Sequence, residues 1–524
     1  MNQIGRMLMV GFEGDEPTKE IEEMIKKDRL GGVILFARNI ISAGQVKKLC
    51  SRLKAIAKAS YVPPPLIAID HEGGVVTRFT DEVTPLPGNM ALGATRSTQY
   101  AYQAGQIAGR ELLSLGIDIN LAPVLDLATN PKTPLGVRSF GQEPELAAKL
   151  GAAMIKGMQS QGISATAKHF PGKGEASLDS HLELPIVTCS AERLEKTELH
   201  PFREAIKAGV DLVMTSHAVF TALDPTRPAT LSGKILTNLL REKMNFKGVI
   251  ITDDLEMGAI TEIGVSEAAV MAVKAGADIV LICHGPDKQK AALETLRLAV
   301  ERGEIPAERI KQSLSRIRRR RKAEGAPTSW VPGRADFTFD DPESAVWKMR
   351  REAVTLVKDE QKLIPLKAEP NQSMLIVSTT QSPLTMVEDT TKPPSRFNPP
   401  SAIPGTQEVG APFAIRTAAI EIQPKKEAAE QVISLARKAD ATIFITCNAH
   451  RYDQQAQLVR DISTLKKPFI VVASREPYDL NAFPEVGTYL TTYCPHPFSL
   501  QSALEVIFGK FSPGGQLPVR LTGL

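Results

Sequence analysis

The sequence predicts a (β/α)8 barrel followed by a smaller layered α/β domain, on three observations. Short β-rich runs alternate with longer helical patterns from the start to about residue 325. The runs are apolar throughout rather than at every second position, as strands buried on both faces of a parallel sheet are. An irregular stretch rich in proline, glycine and aspartate then breaks the rhythm, and a shorter β/α series follows. A chain of 524 residues is also too long for one ordinary domain. An open doubly wound sheet is the alternative. It calls for a glycine-rich phosphate turn after an early strand, which this sequence lacks.

The expected barrel strands are residues 7–12, 32–37, 66–69, 117–122, 163–168, 212–215, 249–252 and 278–282. Eight such units in about 300 residues is the rhythm of a (β/α)8 barrel. Helical patterns fall between them, among others at 20–27, 97–115 and 143–161. The last barrel helix is expected over 306–322, where Pro306 suits a first turn and Ile310, Leu314 and Ile317 form an apolar stripe. Its end carries Arg316, Arg318, Arg319, Arg320, Arg321 and Lys322. That cluster complements the helix dipole and reads as a solvated or domain-facing surface.

The domain boundaries are therefore 1–325 for the barrel, 326–342 for a linker and 343–524 for the second domain. In the second domain the pattern gives a helix over 344–356 and strands at 374–378, 442–446, 469–473 and 488–492. Further helices fit 427–438, 453–465 and 499–508, and the Pro-, Ser- and Thr-rich residues 381–412 form a long loop or excursion.

Composition narrows the function classes. Hydrophobic residues make up 43% and charged residues 23%, as in a soluble globular protein. A net charge of +4 points to neither a nucleic-acid nor a membrane partner. Cys50, Cys189, Cys283, Cys447 and Cys494 are widely spaced and odd in number, which gives neither a disulfide framework nor metal-ligand spacings. No secretory leader and no run of about 20 apolar residues is seen. The expectation is a soluble, cytoplasmic protein; its oligomeric state is not legible.

The stretch around which the chemistry gathers runs from Lys168-His169-Phe170-Pro171-Gly172-Lys173-Gly174-Glu175 to Asp179-Ser180-His181. Pro171, Gly172 and Gly174 end the fifth strand in a loop, and the ionisable groups collect at one mouth. A Walker A reading fails, because the glycine five positions earlier is missing and Gly174 stands in place of Ser or Thr. In a (β/α)8 barrel the active site lies at the carboxyl ends of the strands. Those ends carry Asp70-His71-Glu72, Asp126, Lys168-His169, Ser216-His217, Asp253-Asp254 and Cys283-His284. Of eight histidines, His71, His169, His181, His217 and His284 fall at or just past such ends, a concentration that core packing does not require. Of the pair Asp253 and Asp254, one faces the pocket and the other the helix layer or a helix cap, and alternation favours Asp253 inward.

Several motifs together resemble glycoside hydrolase family 3, and within it the bacterial β-N-acetylglucosaminidase branch. They are Asp70-His71-Glu72-Gly73-Gly74 with Arg78, Ala122-Pro123-Val124-Leu125-Asp126, Arg138-Ser139-Phe140-Gly141, Lys168-His169-Phe170-Pro171-Gly172 with Asp179-Ser180-His181, and Thr252-Asp253-Asp254-Leu255-Glu256-Met257. They span most of the first 325 residues. The second half resembles the family's C-terminal α/β domain more loosely, through residues 352–357 and the ending Gly514-Gly515-Gln516-Leu517-Pro518-Val519. Lys173, Glu175 and His71 depart from the usual histidine, aspartate and glutamine.

The resemblance implies a retaining glycosidase without metal or cofactor, acting on a small carbohydrate. It makes Asp253 the nucleophile and His181 the acid/base, with Asp179 holding the imidazole. Asp70, Arg78, Arg138, Lys168 and His169 match residues that grip the sugar hydroxyls, and His217 is expected to line the same subsite. The implied reaction is release of terminal N-acetylglucosamine from a cell-wall (muropeptide) fragment or a related glycoside. Four rivals stay open: a β-glucosidase of the same family, a phosphorylase built on the same site, a non-catalytic sugar sensor and a metal-dependent hydrolase. The last has neither a His-x-His strand nor a His-Glu-x-x-His helix behind it.

Overall fold

Eight parallel strands close into a barrel in the computed structural model, which describes residues 3–79, 82–176, 180, 183–324, 341–367, 369, 371–380, 383–388 and 414–522. The strands are β1 (Leu8–Val10), β2 (Gly32–Leu35), β3 (Leu66–Ile69), β4 (Ile119–Asn120), β5 (Ser164–Phe170), β6 (Leu212–Thr215), β7 (Val249–Asp254) and β8 (Ile279–Ile282). Each pairs with the next, and β8 returns to β1. The continuous apolar runs of the sequence are thus the barrel wall.

Two apolar layers explain why those runs show no alternation. Leu66, Ala68, Leu212, Met214, Val249 and Ile251 share one buried cluster, which fills the barrel. Ile67, Ile69, Val213 and Ile250 belong to another, shared with the surrounding helices. Successive side chains still point to opposite faces, but both faces are apolar. Carried past the apolar residues, the inward parity reaches Asp70 on β3 and Asp253 on β7. On β5 the outward residues are Ala165 and Ala167, so the inward set ends on Lys168.

The barrel floor is closed by ion pairs. Asp278, just before β8, accepts from Arg241, Arg309, Arg316, the Ser313 hydroxyl and the backbone N–H of Ile250. Arg309, Ser313 and Arg316 lie on the helix Ala307–Glu324. The sequence reading of a solvated basic surface therefore needs correction at Arg316, which turns inward to a buried carboxylate. Arg318 reaches Gln3.

A small sheet of Ile186–Val187, Val219–Phe220 and Asp224–Pro228 sits beyond β5 and β6. Strands this short carry no sequence period, and the pattern did not foretell them. Among the described residues no helix is long and apolar enough to cross a membrane.

The expected linker falls mostly on residues 325–340, outside the described ones. Asp341 then caps the helix Pro342–Ala353 by accepting from the backbone N–H groups of Glu343 and Ser344. The helix stops at Ala353, short of the expected 356, because the β-branched Thr355 and Val357 enter an edge strand, Thr355–Asp359, antiparallel to Thr488–Thr491. The other strands are Ser373–Thr379, Ala414–Ile420, Ala441–Thr446 and Phe469–Ala473, and all are parallel to their neighbours. The sequence reading gave no strand at 414–420. Met90, Ala91, Ala94, Ala128 and Val137 of the barrel share one apolar cluster with Tyr478, Leu480 and Val519 of the second domain. The chain's closing segment adds hydrogen bonds across the seam, Gln516 N–H to Ala94 O at 2.9 Å and Gln142 N–H to Pro518 O at 3.0 Å. An apolar seam of this kind packs the two domains against each other.

Candidate active site

At the carboxyl ends of β3 and β5, three cations meet two buried carboxylates. Lys168 Nζ lies 2.8 Å from Asp70 Oδ1 and 2.7 Å from Glu72 Oε1. Arg138 grips Glu72 with two parallel bonds, Nε to Oε2 at 2.9 Å and Nη2 to Oε1 at 2.8 Å. Arg78 lies 3.7 Å from the other oxygen of Asp70. Burial alone would push Glu72 up, but the charges of Arg138 and Lys168 prevail and hold it well below the usual carboxylate range. Burial likewise works against the Lys168 ammonium, and Asp70 with Glu72 more than restores it. The result is a fixed set of charged donors and acceptors, suited to fastening vicinal hydroxyls.

Beside this girdle stands Asp253 at the tip of β7. Its Oδ2 lies 3.9 Å from His169 Nε2, and its side chain keeps 16% of its exposure. The other nitrogen of that ring is held by Asp126, at 2.7 Å from Nδ1. Asp126 also accepts from the backbone N–H groups of His169 and Lys173. Burial, together with the charge of Lys173, keeps His169 well below the ordinary imidazole pKa. A neutral ring that donates from Nδ1 to Asp126 turns Nε2 outward as an acceptor. Lys173 continues the support by donating from Nζ to the Ser180 hydroxyl at 3.0 Å, across the loop.

Asp254 points the other way. Its Oδ1 accepts from the backbone N–H groups of Glu256 and Cys283, and its Oδ2 lies 3.5 Å from His284 Nε2. Burial pushes it up to about 7. His217 is fully buried, with Nδ1 2.7 Å from the Thr230 hydroxyl and Nε2 2.8 Å from the Asp254 carbonyl. The second bond ties the end of β6 to β7, and the first anchors the ring to the turn Ala229–Leu231. His284 is half exposed and stacks on Phe36 at 5.5 Å.

The structure therefore brings together Asp70, Arg78, Arg138, Lys168, His169 and Asp253. Asp179 and His181 lie outside the described residues. Two further members of the group, Glu72 and Asp126, stood in the sequence as strand-end acids within the quoted motifs, without an assigned role. Their work depends on partners 66 and 43 residues away in sequence, which no local pattern reveals. Among the described residues, Glu175, Cys189 and Glu198 offer ligand atoms within 4.8 Å of one another, but Arg193 already supplies a cation there, 3.0 Å from Glu175.

Comparison with known proteins decides the family. Residues 1–320 match the profile of the glycosyl hydrolase family 3 N terminal domain, and residues 354–523 that of its C-terminal domain. The chain belongs to glycoside hydrolase family 3. It is similar to a beta-hexosaminidase of Nitrosomonas eutropha, 38% identical over 297 residues, which are 55% of this chain and 84% of that one. A beta-hexosaminidase of Neisseria meningitidis serogroup C is 39% identical over 300 residues, 56% of this chain and 82% of its own. Among solved structures, a family 3 β-N-acetylglucosaminidase from Paenibacillus sp. str. FPU-7 superposes with a TM-score of 0.90 at 36% identity, covering 100% of this chain and 99% of that chain. A glycoside hydrolase with the two-domain family 3 architecture is thus at hand, and its charged mouth is the candidate site.

Proposed function

We propose that this glycoside hydrolase is a retaining exo-β-N-acetylglucosaminidase. The observation that carries the reading is Asp253, inward at the tip of β7 and still partly exposed beside a neutral His169, with the Asp70–Lys168–Glu72–Arg138 girdle next to it. A nucleophile and a hydroxyl-binding set in one mouth suit attack on a terminal sugar. Likeness to beta-hexosaminidases and to a β-N-acetylglucosaminidase over the whole chain supports the choice of sugar.

In the first step an Asp253 oxygen bonds to the anomeric carbon as the glycosidic bond breaks, and the proton of His181 passes to the leaving oxygen. In the second, His181 takes a proton from water while the hydroxide oxygen displaces Asp253, so the anomeric configuration is kept. Asp70, Arg78, Arg138 and Lys168 orient the sugar hydroxyls, and His169 Nε2 accepts one of them. Asp179 steadies the imidazole. His217 acts on the subsite through β7, whose Asp254 carbonyl it holds. The aglycone proposed with this sugar is a cell-wall muropeptide fragment or a related glycoside.

The test is an NMR time course on a chromogenic N-acetyl-β-glucosaminide and on the matching glucoside. First release of the β-anomer, with a higher specificity constant on the acetylated sugar, is expected. First release of the α-anomer removes the double displacement, and preference for the glucoside removes the choice of sugar. Turnover of purified muropeptides in preference to chitobiose tests the aglycone.

A further inference from the structure

The second domain carries a buried ionic cluster that the proposed reaction does not use. His450, in the turn Ala449–Arg451, lies between two carboxylates, Asp479 at 2.7 Å from Nδ1 and Glu476 at 3.0 Å from Nε2. Asp479 is further fixed by the Thr446 hydroxyl at 2.7 Å. Glu476 also accepts from Arg451 Nε at 3.0 Å, and both carboxylate side chains are fully buried. A surface of this cluster presses on the barrel. Arg451 NH2 reaches the carbonyls of Pro131 and Thr133 at 3.3 and 3.2 Å. Glu476 Oε1 lies against Gly136, where an added Cβ would come within 2.0 Å of it. Gly136 has a φ of +46° and opens the turn Gly136–Arg138. That turn ends on Arg138, whose guanidinium holds Glu72 at the mouth.

We propose that the second domain sets the affinity of the sugar site through a clasp, in which His450 as a cation keeps Glu476 and Arg451 closed on residues 131–136 and so positions Arg138. This rests on reading the Arg138–Glu72–Lys168 girdle as the sugar-binding site. His450 is a positioning residue: it touches neither substrate nor reacting atoms. Its charge is what the arrangement demands, since a neutral ring would leave two buried carboxylates with one cation fewer between them. Burial opposes that charge, but the hydrogen bond to Asp479 and the close Glu476 carboxylate prevail and push His450 up to about 9. The other groups around the ring are accounted for. Arg451 and Arg475 lie on the Glu476 side, Cys447 lies near both acids, and Tyr478 packs edge-on at 5.7 Å. The barrel contributes backbone carbonyls to Arg451. A second tether runs in parallel: Arg78, on the far side of the sugar girdle, donates to the Val387 carbonyl at 2.7 Å, and the adjacent Glu388 is locked by two bonds to Arg475.

The experiment uses the full chain and His450→Gln, which keeps hydrogen-bonding atoms but removes the charge, with Arg451→Gln as the second variant should the first fail to fold. Steady-state kinetics on a chromogenic N-acetyl-β-glucosaminide should show KM about tenfold higher with kcat within about twofold, because a displaced guanidinium weakens binding of sugar and transition state alike. The ratio of variant to wild-type KM for His450→Gln should fall toward one as pH passes about 9, where the wild-type ring loses its own proton. Hydrogen exchange supplies a readout independent of turnover: the backbone N–H groups of Thr133, Arg138 and Ser139, bonded within this loop, should lose protection. Wild-type KM with unchanged exchange overturns the clasp. Faster exchange with unchanged KM also overturns it, since the loop would then not govern affinity. If the wild-type chain turned over no N-acetylglucosaminide, the proposed function would fail, while exchange in this loop would still judge the clasp.

Discussion

Both ends of the barrel bury carboxylates among cations, and they do so to different ends. At the floor, Asp278 is completely enclosed, and Arg241, Arg309, Arg316, Ser313 and an Ile250 N–H occupy its two oxygens. Burial pulls Arg241 down to about 10 even beside that carboxylate, and the cluster is a structural lock around a buried acid. At the mouth, Asp70 and Asp253 keep 10% and 16% of their side-chain exposure, and the nearest ring to Asp253 stands 3.9 Å off. The floor spends its acceptors on its own arginines. The mouth leaves its acids partly open to solvent. Similar residue types thus serve stability where the shell is closed and, on the proposed function, chemistry where it stays open.

The widest separation between the two ends should come from their central acids. Asp253→Ala is expected to lower kcat at least about 10³-fold while the melting temperature stays close to wild type, as loss of a covalent nucleophile would. Asp278→Ala should do the reverse, costing about 3–5 kcal/mol through three partly buried arginines left without their buried carboxylate, with kcat unchanged in the folded fraction. Paired kinetics and denaturant melts read both. Loss of stability in the first variant, or loss of turnover in the second, would erase the contrast.

The mouth is sharpened next by its proposed acid. His181→Ala should slow glycosides with poor leaving groups by about 10²-fold, while an activated aryl glycoside, which needs little protonation, keeps most of its rate. Added azide should speed breakdown of the covalent intermediate in that variant. Equal slowing of good and poor leaving groups would make His181 a binding residue and turn the search for the acid to Glu175.

The smallest effect concerns Asp254, a mouth residue in a floor-like setting. Burial holds it near pH 7, above its unfolded value of about 4. The stability it gives is present in full below the unfolded value and is lost as pH rises through about 7. Between pH 5 and 8.5 the wild-type melting temperature should therefore drop by roughly 2–5 °C relative to Asp254→Asn. Parallel curves would place the residue outside this titration.

Much of this was legible beforehand. The barrel strands announced themselves as two-faced apolar runs, and the residues just past them, Asp70, Lys168, His169 and Asp253, do converge. Other features needed the fold. Nothing local distinguishes Glu72, which takes its role from Arg138, or Asp126, which takes its role from His169 and Lys173. The strand Ala414–Ile420 escaped because its residues are half-exposed at a sheet edge, and the stop at Ala353 because helix and strand signals overlap there.

The barrel rhythm, the division into two α/β units and the set of acids and bases at the strand ends could be read from the residue pattern alone. All of these follow from short-range rules: the period of side chains along a strand and the turn chemistry that stops it. The tertiary structure decided which of Asp253 and Asp254 faces inward and that Arg316 seals the floor. It also decided that a histidine of the second domain lies behind the loop carrying Arg138. Those outcomes depend on how the barrel closes and how the second domain seats on it, contacts between residues tens to hundreds of positions apart, where a local pattern carries no information.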